Sequence, residues 1–439
     1  MQMFCHGYQS WSESRWRTVG VDDDPSRAAG AIPLFVDMHS GDPTVAAPGE
    51  LRSELVTALR ETSGEAPQVY GGPGTLRFVG GELLGADRSY ESLEDWAADV
   101  GRTSSARVSA PFQVGWCSWY HYFDRVTEED ILANLALAEE WPFDVFQIDD
   151  GFQSAVGDWL ETNDKFPSTL DQLADAIAAK GFRPGIWIAP FFASPESDVA
   201  QQHPDWFATH VSGRRLIGSV NDHWGGAVHV LDTTHPEVLA HLEALARALV
   251  DAGFTYLKLD FTYAPGLAGR YADPRVTPGE RVRAGFDAIR RGAGEDAFLL
   301  GCGAPLGPAI GVVDGMRIGP DVAPWWELPA DHPFPPGYAA TSPSTANALR
   351  ATQARQFMHR RLWLNDPDCV MLRTTDTQLA PEEVRRWAMG VGESGGMVLV
   401  SDDLALLDAN ARSLLDDVIA RGREADDQRI GSTSARTNV

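Results

Sequence analysis

The sequence predicts a (β/α)8 barrel over residues 111–422, and two observations favour this fold class. Between residues 112 and 402, short apolar runs that end in polar or aromatic residues alternate with longer segments of helical periodicity. Two of these runs, Tyr-Leu-Lys-Leu-Asp at 256–260 and Arg-Ile-Gly-Pro-Asp at 317–321, each end on a carboxylate that follows a cation. Because strand ends converge on one face of such a barrel, Asp260 and Asp321 are expected to meet across a pocket.

Eight apolar runs supply the strands that a barrel needs. In chain order the predicted strands are 112–119, 143–149, 182–189, 254–260, 297–302, 314–319, 364–371 and 396–401. Helices are predicted at 127–140, which opens with Thr127 and an acidic turn, and at 235–252, which opens with His-Pro-Glu. Further helices are predicted near 168–180, 278–292, 341–361, 381–393 and 404–421. The stretch 190–233 is longer than a minimal barrel requires, so an insertion there is expected to shape access to the pocket.

The regions that flank the barrel have weaker patterns. Residues 1–110 carry Gly, Pro and acidic residues between short apolar runs, which predicts an N-terminal extension of strands and loops packed on the barrel. Residues 423–439 combine charged residues with Ser and Thr, and this composition predicts a disordered tail.

Composition and charge predict a protein that acts on a neutral partner. The formal net charge of −26 argues against general electrostatic binding to nucleic acid or to an anionic membrane. The N-terminus has neither a basic n-region nor an apolar run, and no stretch approaches the length of an apolar membrane span. A cytoplasmic location without a membrane partner is therefore expected, and a homo-oligomer is compatible with the sequence.

No metal site or organic cofactor is predicted. The four cysteines are far apart, with no Cys-x-x-Cys pair and no histidine at ligand spacing. No Gly-x-Gly-x-x-Gly follows a predicted strand, and there is no P-loop, so nucleotide binding has no support.

Asp260 and Asp321 are candidates for the paired carboxylates that cleave a glycosidic bond. Lys258 and Asp260 point to the same face because side chains alternate along a strand, and a nearby ammonium favours the ionised form that a nucleophile needs. Asp321 follows Arg317 and precedes an aromatic cluster at 324–326; an apolar lid and a second carboxylate raise the pKa of a carboxyl group, as a general acid requires. The alternatives are a structural ion pair for Asp260 and a turn-capping role for Asp321.

Asp149 and Asp150 end the second predicted strand. Adjacent acids after a buried strand are costly to place unless hydrogen-bond donors meet them, and sugar hydroxyls are such donors. A divalent metal site is the competing interpretation, but it needs further oxygen ligands that the sequence does not identify.

Tryptophans at other strand ends predict a stacking surface for sugar rings. Trp187 lies in Gly-Ile-Trp-Ile, and Trp116 and Trp119 lie in Gly-Trp-Cys-Ser-Trp-Tyr. The apolar C–H faces of pyranose rings stack on such rings. Asp366 and Asp368, at the seventh strand end, either shape the pocket or cap a turn, and a structural role is the favoured interpretation.

Taken together, these segments resemble the glycoside hydrolases of clan D, most closely the family 36 α-galactosidases. The resemblance rests on Gly-Trp-Cys-Ser-Trp-Tyr (115–120), Gln-Ile-Asp-Asp-Gly-Phe (147–152), Gly-Ile-Trp-Ile-Ala-Pro (185–190), Tyr-Leu-Lys-Leu-Asp-Phe (256–261), Gly-Cys-Gly-Ala-Pro-Leu (301–306), Met-Arg-Ile-Gly-Pro-Asp-Val (316–322) and Trp-Leu-Asn-Asp-Pro-Asp (363–368). Family members usually carry a large N-terminal β-sandwich and a C-terminal sheet domain. Residues 7–12, Gly-Tyr-Gln-Ser-Trp-Ser, look like a remnant of that sandwich.

The resemblance implies a role for each candidate. It implies that Asp260 is the nucleophile and Asp321 the acid/base. It further implies a set of residues that bind the sugar: Asp149 and Asp150 at the 4- and 6-hydroxyls, Lys258 and Arg317 at ring hydroxyls, Trp187 and Trp119 as aromatic surfaces, and the Cys302–Gly303 turn near the 2-position.

The sequence is therefore interpreted as a retaining, exo-acting α-galactosidase that acts on a small neutral oligosaccharide. An α-N-acetylgalactosaminidase and a galactosyltransferase that forms raffinose-type sugars are the nearest alternatives. A truncated, non-catalytic carbohydrate-binding homologue is a third, although a pure binder has no use for a matched nucleophile and acid.

Overall fold

The computed structural model describes residues 2–5, 9–12, 14–18, 56–60, 71–72, 75–76, 92–330 and 341–436. Its centre is a single sheet of eight parallel strands. In chain order these are β1 (Val114–Cys117), β2 (Val145–Ile148), β3 (Arg183–Ile188), β4 (Tyr256–Leu259), β5 (Phe298–Gly301), β6 (Gly315–Arg317), β7 (Leu364–Asp366) and β8 (Val398–Val400). Each lies within one of the eight runs predicted from the sequence, so the predicted (β/α)8 barrel is confirmed.

Backbone hydrogen bonds close this sheet into a barrel. Strands β1 to β7 pair in chain order, and β8 pairs with β1 through Val398 and Val114. Between β7 and β8 the amide of Met397 donates to the carbonyl of Asn365 at 2.9 Å, and the amide of Val370 donates to Leu399 at 2.7 Å. Closure leaves no free edge and directs the carboxyl ends of all the strands to one face.

Helices follow most of the strands and cover the outside of the barrel. They are α1 (Glu128–Ala138), α2 (Leu170–Ala179), α3 (Pro236–Asp251), α4 (Pro278–Ala293), α5 (Thr345–Arg355), α6 (Pro381–Ser394) and α7 (Ala409–Arg436). Thr127 and Asp130 form a capping box at the start of α1, and proline opens α3, α4 and α6. The link between β5 and β6 holds only the short helix Leu306–Ala309.

The described part of the chain contains further helices and turns. They are the α-helices Leu93–Thr103, Trp119–Tyr122 and Asp198–Gln202, and the 3-10 turns Phe123–Arg125, Asp222–Trp224, Ala264–Gly266, Gln356–Met358 and Leu404–Leu406. None of the described helices has the length and apolar character to cross a membrane.

The insertion predicted between β3 and α3 folds as a small antiparallel sheet. Its central strand Gly226–Val230 pairs with Ile217–Asn221 on one side and with Phe192–Ala193 on the other. The 3-10 turn Asp222–Trp224 joins the two longer strands and carries Trp224 toward the carboxyl ends of the barrel strands.

The N-terminal extension contacts the barrel through a short segment, residues 9–14. The side chain of Arg355, at the end of α5, donates to the backbone carbonyls of Gln9, Ser10 and Ser12 and to the hydroxyl of Ser14. Burial lowers the pKa of Arg355 to about 9. These hydrogen bonds fix the segment, and with it Trp11, at the carboxyl face of the barrel.

Other described parts of the extension are the helix Leu93–Thr103 and several short strands. Gln2–Cys5 pairs in antiparallel fashion with Arg15–Thr18 and with Val56–Arg60, and Gly71–Gly72 pairs with Thr75–Leu76. Much of the predicted extension over residues 1–110 lies outside the described residues, including those that would decide whether it is a sandwich remnant.

The prediction of a disordered tail from residue 423 is wrong for residues 423–436, which continue helix α7. Asp426, inside this stretch, is buried and accepts hydrogen bonds from Arg360 at 2.6 and 2.7 Å, and the ring of His359 lies 2.8 Å away. Burial opposes the charge on Asp426, but Arg360 and His359 lower its pKa to about 2. This long-range ion pair holds the helix on the barrel, and residues 437–439 lie outside the described part.

Candidate active site

A pocket opens at the carboxyl ends of the barrel strands, where the fold places functional residues. It contains about 370 Å³ of empty space, a volume that includes the solvent at its mouth. Its lining residues are Trp11, Trp119, Tyr120, Asp149, Asp150, Trp187, Asn221, Trp224, Lys258, Asp260, Phe261 and Asp321.

Seven of the ten site residues predicted from the sequence line this pocket: Trp119, Asp149, Asp150, Trp187, Lys258, Asp260 and Asp321. The other three, Cys302, Gly303 and Arg317, lie beneath its surface. Trp116 also lies outside the pocket, so its expected place in a stacking surface is wrong. Its buried ring stacks on Phe146, with 4.3 Å between the ring centroids, and its Nε1 donates to the carbonyl of Asp402.

Asp260 follows β4 directly, and two donors orient its carboxylate. The indole Nε1 of Trp187 donates to Oδ2 at 3.0 Å, and the backbone amide of Phe261 donates to Oδ1 at 2.6 Å. Gly303 packs closely against the same oxygen, since a Cβ atom there would lie 3.1 Å from Oδ1 of Asp260. The predicted Cys302–Gly303 turn therefore contacts the candidate nucleophile, and its glycine has a positive φ of 53°.

Asp321 lies in the loop after β6 and faces the same pocket. Nη1 of Arg317 donates to its Oδ1 at 3.0 Å. Burial raises the pKa of Asp321, and the charge of Asp260 raises it further, while Arg317, Lys258 and the Tyr120 hydroxyl lower it. The net pKa shift is upward and favours a protonated Asp321 opposite Asp260, as the sequence predicted for a general acid.

Lys258 does not pair with Asp260, contrary to the expectation from strand alternation. Its Nζ lies 2.9 Å from Oδ2 of Asp149, at the end of β2, a strand that is not adjacent to β4 in the sheet. Burial opposes the charge of Lys258, but Asp149 raises its pKa well above the ordinary value. Strand alternation correctly places Lys258 on the face of β4 that points into the barrel. Its long side chain contacts the carboxylate of Asp149 across the barrel rather than that of Asp260.

The two adjacent aspartates differ in how many hydrogen bonds they already accept. Oδ2 of Asp149 accepts from Lys258, from Nε2 of Gln147 at 2.5 Å and from Sγ of Cys117 at 3.4 Å. Its Oδ1 accepts from the amide of Asp150. A lysine ammonium thus holds the place that a metal ion would need, which disfavours the metal interpretation. Among the residues that the structure describes, no cluster of three or more His, Cys, Asp or Glu could hold a metal ion.

Asp150 has one protein donor on each oxygen. Nε2 of Gln153 donates to Oδ1 at 2.6 Å, and the indole Nε1 of Trp224 donates to Oδ2 at 2.8 Å. Because a carboxylate offers about four lone-pair positions, Asp150 can accept further hydrogen bonds from a ligand in the pocket. Burial raises the pKa of Asp150 to about 6, and the two donors oppose this rise.

Arg317 is buried beneath the pocket, where it contacts three carboxylates, and it does not line the pocket. Its guanidinium contacts Asp321 at 3.0 Å, Asp366 at 3.2 Å and Asp368 at 2.7 Å. Asp366 and Asp368 are completely buried, in line with their interpretation as structural residues. Because all of these contacts are internal, a direct contact of Arg317 with a ligand has no support in the described pocket surface.

Five lining residues were not predicted: Trp11, Tyr120, Asn221, Trp224 and Phe261. Asn221 and Trp224 belong to the insertion, which was expected to shape access to the pocket but whose fold was not predicted. Trp11 lies in the N-terminal segment, and its ring packs edge-on against Phe261 with 5.1 Å between the centroids. Tyr120 and Phe261 are the last residues of two motifs that carried the resemblance, next to predicted site residues, but neither was assigned a role.

Comparison with known proteins gives consistent matches. A model of the Melibiase family matches residues 113–267. α-Galactosidase AgaA from Geobacillus stearothermophilus is 31% identical over 147 residues, which are 32% of this chain and 19% of that protein. An A type blood α-D-galactosamine galactosaminidase from Flavonifractor plautii is 25% identical over 259 residues, which are 54% of this chain and 24% of that protein. The alignments thus span a fifth to a quarter of these curated relatives.

A solved structure matches nearly the whole chain. TtGalA, an α-galactosidase from Thermus thermophilus, is 31% identical and has a TM-score of 0.75 in its complex with p-nitrophenyl α-D-galactopyranoside. The match covers 96% of this chain and 86% of that protein. TtGalA has also been solved in complex with stachyose, and that structure has a TM-score of 0.74.

Proposed function

The chain belongs to the melibiase family of α-galactosidases, and we propose that it is a retaining, exo-acting α-galactosidase that uses Asp260 and Asp321. The family 36 resemblance of its sequence motifs is confirmed at this level. One observation carries the proposal: a single pocket, in a chain that matches TtGalA over most of its length, is lined by Asp260, Asp321 and Asp150.

In the proposed reaction Asp260 attacks the anomeric carbon and Asp321 protonates the leaving oxygen. The carboxylate of Asp260 is ready for attack because Trp187 and the Phe261 amide hold its two oxygens. Burial and the charge of Asp260 raise the pKa of Asp321, which favours the protonated form that this role requires. In the second step Asp321 takes a proton from water, which then releases the sugar from Asp260.

We assign recognition of the terminal galactose to Asp150 above all. Galactose differs from glucose only at its axial 4-hydroxyl, so a group in that direction must distinguish them. Asp150 has free acceptor capacity, whereas Asp149 is occupied by Lys258, Gln147 and its own neighbour. Asp149 therefore acts mainly by holding Lys258 toward the pocket. The complexes of TtGalA with stachyose and with an aryl α-galactoside support a neutral galactoside as substrate.

The position of the pocket supports exo action, because at one mouth of a closed barrel a terminal sugar can enter while the remainder of an oligosaccharide stays outside. Four tryptophans line the pocket: Trp11, Trp119, Trp187 and Trp224. An α-N-acetylgalactosaminidase is the second candidate, favoured by the similarity to the F. plautii galactosaminidase. Transfer of galactose to another sugar would use the same covalent intermediate.

The proposal is tested by release of p-nitrophenol from its α-galactoside, its α-glucoside and its α-N-acetylgalactosaminide. We expect the α-galactoside to be the preferred substrate. We also expect Asp150→Asn to lower kcat/KM for it by at least about a hundredfold, because a buried site built to accept a hydroxyl loses its charged partner. Preference for the N-acetylated sugar, or no hydrolysis of any of the three, would overturn the α-galactosidase proposal.

Asp149→Asn is the matched comparison, because it makes the same chemical change one residue away. This variant should also lose activity, but it should lose about 3 to 5 kcal/mol of unfolding free energy as well, because Lys258 is left buried without its carboxylate. Asp150→Asn should unfold near the wild-type midpoint. Near wild-type kcat/KM in Asp150→Asn would remove the assignment of sugar recognition to that residue.

A further inference from the structure

A cluster of charged side chains beneath the pocket contains more acidic groups than basic ones. Arg317 supplies one positive charge to three carboxylates, Asp321, Asp366 and Asp368. The side chains of Asp366 and Asp368 are completely buried, and Arg317 has 2% of its side chain exposed. Of the three acids, only Asp321 reaches the pocket. If all three were ionised, an excess of negative charge would be buried at large cost, so the cluster favours one bound proton.

Four donors converge on Asp368. The Tyr120 hydroxyl donates to Oδ2 at 2.5 Å, and the amide of Val322 donates to the same oxygen at 2.8 Å. The amide of Cys369 donates to Oδ1 at 2.7 Å, and Nη2 of Arg317 lies 2.7 Å from that oxygen. A carboxylate that receives four donors has no acceptor left for a proton of its own, so Asp368 is held in its ionised form.

The backbone at Asp368 is also unusual. Its φ of 98° is rarely adopted by residues other than glycine and is costly. Strain of this kind persists only where surrounding contacts hold it. Here the contacts are those that bring the carboxylate between Tyr120 and Arg317.

We propose that Asp368 is a positioning residue for Asp321: by neutralising and orienting Arg317, it lets Asp321 keep the proton that the leaving group requires. The inference rests on the proposed function. Arg317 is the one cation in direct contact with Asp321 among the described residues. A guanidinium whose charge is taken up by Asp366 and Asp368 stabilises the ionised form of Asp321 less than a free one would.

The charged surroundings of both acids agree with this division of roles. Asp321 faces Arg317, Asp260, Lys258 and the Tyr120 hydroxyl, and the net effect with burial is a raised pKa. Asp368 faces Arg317, Asp321, Asp366 and Tyr120, and burial raises its pKa to about 6. At that value Asp368 is mainly ionised at pH 7, in agreement with the four donors that its carboxylate accepts.

Asp368→Asn tests the inference through the pH dependence of kcat/KM. On its basic side this profile reports the loss of the proton from the acid in the free enzyme. Without the charge of Asp368, Arg317 acts more strongly on Asp321 and lowers its pKa. We expect the basic limb to move down by at least about half a pH unit. At pH values above this pKa, Asp368→Asn should lower the hydrolysis of an alkyl α-galactoside about tenfold more than it lowers that of the p-nitrophenyl α-galactoside. The reason is that p-nitrophenol needs little protonation when it leaves.

Tyr120→Phe is a second test by the pH dependence of kcat/KM, and it does not require Asp368→Asn to be stable. The Tyr120 hydroxyl lowers the pKa of Asp321, so its removal should move the basic limb up, opposite to Asp368→Asn. Asp402→Asn is the control, because Asp402 forms a buried pair with Arg373 at 2.7 Å and does not contact Arg317. It should leave the basic limb in place even where stability falls.

The outcomes are distinct. The inference alone would be overturned if the basic limb did not move in Tyr120→Phe. It would also be overturned by a folded Asp368→Asn whose basic limb does not move and whose activity falls equally on both substrates. Asp368 would then be a structural residue. A wild-type protein that hydrolyses no α-galactoside would overturn the proposed function and the inference together.

Discussion

Asp260→Ala is expected to lower kcat for an aryl α-galactoside by on the order of 10⁴-fold or more, because no other carboxylate occupies the position of the nucleophile. Sodium azide should restore turnover, since the small anion fits the space that the carboxylate leaves. The product should be the β-galactosyl azide, which has the configuration opposite to that of the substrate. Measuring p-nitrophenol release with and without azide, and identifying the azide product, checks both parts.

Asp158→Ala provides a control for the loss of an aspartate near the same loops. Asp158 accepts from the amides of Asp198 and Val199 and does not line the pocket. It should keep its activity and show no response to azide. An α-galactosyl azide from Asp260→Ala, or activity of that variant close to wild type without azide, would contradict the assignment of the nucleophile.

Asp321→Ala is expected to have an effect that depends on the leaving group. For an alkyl or sugar leaving group, which must be protonated as it departs, kcat/KM should fall by on the order of 10³-fold. For p-nitrophenol, a good leaving group, the first step should be nearly spared. Comparing kcat/KM for p-nitrophenyl α-galactoside and for a galactosyl disaccharide measures this difference directly.

Asp260→Ala serves as the comparison in the same experiment, because loss of the nucleophile should reduce hydrolysis of both substrates alike. If Asp321→Ala also reduced both equally, then Asp321 would not be the acid, and its raised pKa would have a structural origin.

The barrel was predictable because the pattern that defines each of its strands lies within a few consecutive residues. Strands buried on both faces appear in the sequence as short apolar runs, and all eight runs became barrel strands. The carboxylates were predictable for a related reason: a charged residue at the end of such a run lies at the carboxyl face whatever its neighbours are. Asp149, Asp150, Asp260 and Asp321 all line the pocket accordingly.

Pairings between distant segments were not predictable from the sequence. Lys258 pairs with Asp149, which is 109 positions away, rather than with Asp260, which is two residues away. The polar composition of the C-terminal segment suggested disorder, but Asp426 binds Arg360 across 66 positions and holds the helix. Trp11 and Trp224 reach the pocket from the N-terminal segment and the insertion, whose paths depend on tertiary contacts.

The central claim is a double displacement at the anomeric carbon by Asp260 and Asp321. Such a mechanism retains configuration and requires the two carboxyl groups to lie roughly 5 to 6 Å apart in the working enzyme. Proton NMR of the first sugar released from an aryl α-galactoside by the wild-type protein, recorded before mutarotation, tests the claim most directly. The account predicts α-galactose as the first product, and β-galactose as the first product would contradict it.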